Sequence, residues 1–182
     1  MLAGDSAANN LNAKFVTLRG MKILVFLGGT TLIDRTLVAP TRDEMVKRSK
    51  EREKYGGLSG EVVPIGNAVS KLKKWKEHGA EIVYFSATRK AETLQKIEQA
   101  LKANGFPEGQ LHFRGSTRSY AEVAEVIDPD IIVEDDCESI GGEKEMIYPN
   151  MASSCKSRIR SVVVKEFGGI DHLPDDPQEL IR

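Results

Sequence analysis

Three short stretches of this chain combine residue types that bind anions or metal ions. Gly28, Gly29, Thr30 and Thr31 follow an apolar run at 22–27. With no Cβ atoms on the two glycines, successive backbone N–H groups can close around a phosphate. Ser86 and Ala87 follow a second apolar run at 81–85. A serine hydroxyl there, with the amides of a following helix start, could donate to a phosphoryl oxygen. Glu134, Asp135 and Asp136 end a third run. Adjacent carboxylates repel unless a cation or solvent intervenes, and oxygen ligands at Asp135 and Asp136 suit Mg²⁺. Each stretch also has a plainer reading: a tight turn, a serine capping a helix, and acids solvated in a loop.

Something must bring these stretches together, and the patterning says what. Apolar runs of strand length alternate with segments of helical period, as in a parallel sheet with crossover helices. Thr41 and Glu44 have capping-box spacing, so a charged surface helix is predicted from there to about Lys54. Ile65, Ala68, Val69, Leu72 and Trp75 form an amphipathic stripe ending at His78 and Gly79. A second helix buries Leu94, Ile97 and Leu101 and stops at Asn104 and Gly105, and a third carries Tyr120, Val123, Ala124 and Ile127. Strands are predicted at 22–27, 81–85, 111–113, 130–136 and 161–164, and a loop-rich tail with a short terminal helix follows. The expected fold is α/β, three-layer and Rossmann-like, with a mostly parallel central sheet. In such a sheet the carboxyl ends of the strands open on one crevice, which is where ligands bind.

The chain has 182 residues, 26 basic against 27 acidic, so bulk charge points neither to nucleic acid nor to a membrane surface. No apolar run approaches the ~18 residues of a membrane span. Residues 1–20 read as a polar N-terminal extension with a possible extra strand at 14–18, and 21–182 as one domain. Cys137 and Cys155 are too few for a disulfide framework and lack metal-ligand spacing, which suggests a reducing compartment, the cytoplasm. Beside the acids, Cys137 reads as a structural thiol rather than a reactive one. Lys71, Lys73, Lys74 and Lys76 flank Trp75; helical spacing puts Leu72 and Trp75 in the core and the lysines in water.

Taken in order, the three strand ends resemble the motifs of the haloacid dehalogenase-like superfamily, over most of the chain from Met21 to about Val164. The family's first motif is a buried strand running into Asp-x-Asp-Gly-Thr-Leu, and the stretch 25–34 is similar to it. Ser86 matches the serine or threonine of the second motif. Arg118 stands as the counterpart of the lysine of the third. Asp135 and Asp136 match the paired acids of the fourth. The resemblance implies a small-cap or capless phosphohydrolase type of protein with Mg²⁺ at Asp135 and Asp136. Phosphate would be held by Gly28, Gly29, Thr30, Ser86, Ala87 and Arg118. The substrate would be a phosphorylated small molecule or a macromolecular phosphoester.

In that family the first aspartate attacks phosphorus and the second protonates the leaving group. Here Leu27 and Gly29 occupy those two positions, and a leucine can neither attack phosphorus nor bind a metal. Catalysis by the usual route is therefore not expected. A pseudoenzyme that binds a phosphoryl ligand or a protein is the alternative, and in it aspartates restored at 27 and 29 should create activity. Asp34 is the nearest acid that could substitute. The connection from Asp34 to Pro64 holds one predicted helix, too little for a large cap, so the crevice is expected to stay open to bulky substrates. The 27–31 stretch also resembles the phosphate loop of sugar kinases of the actin/hexokinase type, a fold that needs two such domains and far more chain.

Overall fold

Ile23, Leu24, Val25 and Phe26 are apolar without interruption because both faces of their strand are covered. In a computed structural model, which describes residues 20–181, they belong to β1 (Lys22–Phe26) at the centre of a five-stranded sheet. Its neighbours are β4 (Glu81–Ser86) and β6 (Ile131–Asp135). Outside these lie β5 (Gln110–Phe113) and β7 (Arg160–Val164), and all pairings are parallel. The expected α/β architecture is present. The strand proposed at 14–18 lies outside the described residues.

The order β5-β4-β1-β6-β7 means that the chain winds outward from β1 in one direction, returns to the middle and winds out in the other. Adjacent loops after β1 and β6 consequently diverge to opposite faces of the sheet, which opens a crevice between them. Strand alternation divides the core into two layers. Ile23, Val25 and Leu27 pack with Leu72 and Trp75 of α2 (Ala68–Glu77) and Leu101 of α3 (Ala91–Ala103). Leu24 and Phe26 pack with Ala121, Ala124 and Ile127 of α4 (Tyr120–Ile127) and with Ile147 and Met151 beyond it. Ser119 and Glu122 close a reciprocal capping box on α4 that the sequence reading had not singled out.

The connection after β1 is more structured than predicted. Residues Leu32–Asp34 (β2) and Val62–Pro64 (β3) form an antiparallel pair, and between them lies α1 (Arg42–Lys50). This helix ends at Lys50 instead of near Lys54; one 3₁₀ turn, Arg52–Tyr55, continues to the glycines at 56 and 57. Ile33, Leu37, Val46, Ile65 and Phe167 give this excursion a small core of its own. Thr41 caps α1 as its spacing predicted, its Oγ1 accepting from the Glu44 N–H at 3.3 Å.

Lys71 departs from the expectation of a solvated lysine. It is buried, and its Nζ donates to Asp175 at 2.6 Å and to the Leu173 carbonyl at 2.5 Å. Trp75 Nε1 donates to the Pro174 carbonyl, so α2 clamps the tail over the sheet. No helix among the described residues is long and apolar enough to cross a membrane.

Candidate functional site

The loop after β1 is pinned backbone to backbone. Leu27 donates to the Phe85 carbonyl and accepts from the Thr31 and Leu32 N–H groups, while Gly29 donates to Leu32. Gly29 has φ of +88°, a conformation open to glycine and costly for residues with a Cβ. Its carbonyl accepts from the Phe167 N–H at 2.7 Å, which ties the segment after β7 to this loop. Phe167 itself has φ of +60° and faces the crevice.

That crevice is a cleft of about 550 Å³, within the usual size of small-molecule sites. Leu27, Gly28, Gly29, Ser86 and Ala87 lie at its base, so the structure does bring the first and second strand ends together. Three donors there have no acceptor among the described residues: the N–H of Gly28, the N–H of Ala87 and the hydroxyl proton of Ser86. Ser86 Oγ does accept, from the Thr88 N–H at 3.2 Å, in a serine turn that orients it. Ser86 is not a helix cap, because α3 begins only at Ala91 and its N-cap is Lys90. The expected contribution of a helix start at Ser86 is therefore absent; loop amides stand in its place. Gly28 and Ala87 are exposed, so the cleft reaches solvent.

Leu27 continues the alternation of β1 and points into the core layer under α2 rather than out of the loop. It is 1% exposed. Thr31 is also buried, its hydroxyl 3.5 Å from the Phe26 and Leu27 carbonyls.

The two acids after β6 part company. Asp135 is 2% exposed; its Oδ2 accepts from the Thr30 hydroxyl at 2.8 Å and its Oδ1 from the Cys137 N–H at 3.0 Å. Burial pushes its pKa up to about 6, with the carboxylate of Glu166 adding to the rise and the Thr30 and Cys137 donors opposing it. Asp136 turns instead toward the end of β7, where Lys165 Nζ lies at 2.9 Å and the Glu166 N–H at 3.0 Å. Burial would raise its pKa, but those donors and the Lys165 charge hold it below the ordinary carboxylate value. Neither aspartate lines the cleft. Burial, and then the neighbouring carboxylates, push the Cys137 thiol up, as suits a structural rather than a reactive cysteine.

Arg118 is exposed and does not line the cleft; its carbonyl accepts from Arg114 Nε, which holds the turn before α4. The cations that do reach the cleft are Arg52 and Lys96, from the 3₁₀ turn and from α3. Neither lay in a recognisable motif, since single lysines and arginines on helices are ordinary surface residues. Asp34 lies in the cleft wall, but Thr36, Ser59 and Gly60 direct five hydrogen bonds to its carboxylate. Burial alone would raise its pKa; these donors together lower it. Asp34 thus fastens the loop at 59–60 to β2, and this is a structural role.

Glu166, unremarked in the sequence, is a hub. It is 4% exposed, and its carboxylate accepts from the Ser139 N–H and hydroxyl, both at 2.6 Å. Ser139 Oγ is in turn 2.7 Å from Ser49 Oγ on α1. Arg42 Nε donates to the Glu166 carbonyl, and Arg42 Nη2 pairs with Glu138 at 2.5 Å. These contacts dock α1 on the loops after β6 and β7, so the excursion forms one wall of the cleft.

Fold and site together define a doubly wound α/β domain with a cleft at the ends of its strands. No family model matches the chain, and no curated protein matches it. Among solved structures it is similar to a chain of the Pnkp1/Rnl/Hen1 complex, at 12% identity and a TM-score of 0.46. That likeness covers 82% of this chain and 48% of the other, so the chain spans about half the length of the protein it matches.

Proposed function

We propose that this protein is a non-catalytic domain of haloacid dehalogenase-like type that holds a phosphoryl ligand in its strand-end cleft. The supporting observation is the set of unused donors from Gly28, Ala87 and Ser86 at the cleft base. Three unused donors along one cleft suit a phosphoryl group, which accepts several hydrogen bonds, and hydrogen bonds to an anion are the strong ones. Lys96 and Arg52 add positive charge on the wall.

Hydrolysis by the family route is not part of this reading. The nucleophile position is a leucine committed to the core, and Asp34 is held by five donors. The donor set also does not fit Mg²⁺, which takes near-octahedral oxygen ligands. Asp135 has each oxygen engaged by a protein donor, Asp136 is paired with Lys165, and Leu27 offers only a carbonyl already bonded to two N–H groups. Phosphate binding is therefore expected to be independent of Mg²⁺.

Isothermal titration of inorganic phosphate, with Mg²⁺ and with EDTA, tests the binding claim, and a broad phosphoester panel tests the absence of turnover. Equal binding in both buffers with no turnover is expected. Mg²⁺-dependent hydrolysis would instead support an active phosphohydrolase that uses another acid.

A further inference from the structure

We infer that the ligand of this cleft is an amphiphilic phosphomonoester or phosphonate, with an apolar body behind its phosphoryl group; this rests on the phosphoryl-binding reading above. The walls leading away from Gly28 and Ser86 are apolar: Leu32, Ile33, Leu37, Leu58, Ile97 and Phe167 all face the cleft. Apolar surface of this extent gains most from a ligand part that water also rejects.

Three of the polar side chains on the same walls are engaged elsewhere. Asp34 receives Thr36, Ser59 and Gly60. Ser49 and Glu166 belong to the chain through Ser139. A sugar phosphate entering here would bury several hydroxyls against aliphatic walls, where each one lacking a partner opposes binding. A hydrocarbon chain or an aromatic ring meets no such opposition.

Charge and exposure give the ligand a direction. Arg52 and Lys96 have no ion-pair partner among the described residues, and both line the cleft. They complement an anionic head group. Leu58 and Ile140 are 54% and 46% exposed at the mouth, large apolar side chains that the protein leaves uncovered. A body emerging from the base would lie across them and shield them from water. The length available, a cleft of about 550 Å³, suits a small molecule and not a folded partner.

The experiment is calorimetric titration of the full chain with methylphosphonate, hexylphosphonate, glucose 6-phosphate and 1-hexanol, repeated on Leu58→Asp. Leu58 is half exposed, so this variant is expected to fold, and its melting curve checks that. Hexylphosphonate should bind at least about tenfold more tightly than methylphosphonate, since each buried methylene adds to affinity. Glucose 6-phosphate should bind no more tightly than methylphosphonate. The hexyl advantage, taken as the ratio of the two phosphonate affinities so that any effect of the new charge on the head group cancels, should shrink in Leu58→Asp. If methylphosphonate binds and hexylphosphonate binds no better, or if the advantage persists undiminished in the variant, the inference of an apolar body is overturned and phosphoryl binding stands. If neither phosphonate binds, both fall. If 1-hexanol binds as tightly as hexylphosphonate, the apolar pocket stands and the phosphoryl reading falls.

Discussion

Gly29 and Asp135 are packed so closely that a Cβ on Gly29 would lie 2.7 Å from Asp135 Oδ2 and 3.0 Å from its Cγ. The glycine is therefore required twice, by its φ of +88° and by the buried carboxylate against it. An aspartate at 29 would meet both constraints, which weighs against activity being created by aspartates restored at 27 and 29. At position 29 a side chain would have to displace the Asp135 carboxylate, and position 27 points into the core.

Gly29→Ala is expected to destabilise the protein by about 2–4 kcal/mol, from backbone strain and the displaced carboxylate together. Leu27→Asp should cost about as much, because it places a carboxyl group in an apolar layer. Urea denaturation measures both. Neither variant nor their Asp double should hydrolyse p-nitrophenyl phosphate; a folded double variant with turnover would show that the loop can rearrange.

Ser86→Ala should weaken inorganic phosphate binding about tenfold or more, the loss expected of one hydrogen bond to a charged ligand. Its effect on stability should be small, since only the Thr88 N–H loses an acceptor. Arg118→Ala should bind phosphate as well as the parent, because Arg118 is exposed and outside the cleft. Titration calorimetry on the pair separates the second-motif residue from the third-motif counterpart.

Two buried acids make stability fall as pH rises from about 4 to about 7. Burial pushes the pKa of Glu134 up to about 7 from an ordinary 4.5, against donors from Ile147 and Tyr148, and Asp135 rises to about 6 from 3.8. In that window the folded state binds more protons than the unfolded one, so unfolding free energy decreases with pH. The contribution is lost between about pH 4.5 and 7 for Glu134, and between about 3.8 and 6 for Asp135. Asp34 and Asp136, whose pKa values are lowered, act in the opposite sense only in stronger acid, whereas His112, its pKa lowered from 6.5 by burial and by Lys22, offsets part of the trend nearer neutrality. The melting temperature should therefore be higher at pH 5.5 than at pH 8, by an amount equivalent to roughly 2 kcal/mol. Glu134→Gln should flatten the slope. A slope unchanged in Glu134→Gln would remove Glu134 from the account.

Asp34→Ala should destabilise by about 2–3 kcal/mol, since the backbone N–H groups of Thr36, Ser59 and Gly60 lose their acceptor. The loop at 56–60 should become the first site of limited proteolysis, detectable by mass spectrometry of the fragments.

Ser49→Ala breaks the contact between α1 and Ser139 without touching the base of the cleft. Hydrogen exchange should rise across α1 while phosphate binding at the base is retained.

Much of the scaffold is legible in the sequence. Uninterrupted apolar runs in β1, β4 and β6 marked strands covered on both faces, and the stripe of Leu72 and Trp75 marked a crossover helix. The strand ends at Gly28 and Ser86 were legible as one group, and both line the same cleft, because a parallel sheet sends the carboxyl ends of its strands to one edge.

What the sequence by itself determined, then, was the layering, the edge at which the cleft opens, and the lack of a carboxylate at residues 27 and 29. Tertiary structure alone decided which way each side chain at that edge turns. Asp135 and Asp136 are neighbours in sequence, yet one is buried under Thr30 and the other is paired with Lys165, because adjacent residues of a strand leave on opposite faces. Glu166, Arg52 and Lys96 reach the site from three separate elements, and Asp34 is spent on the loop at 59–60. Those outcomes depend on contacts between residues far apart in the chain, which no local pattern encodes.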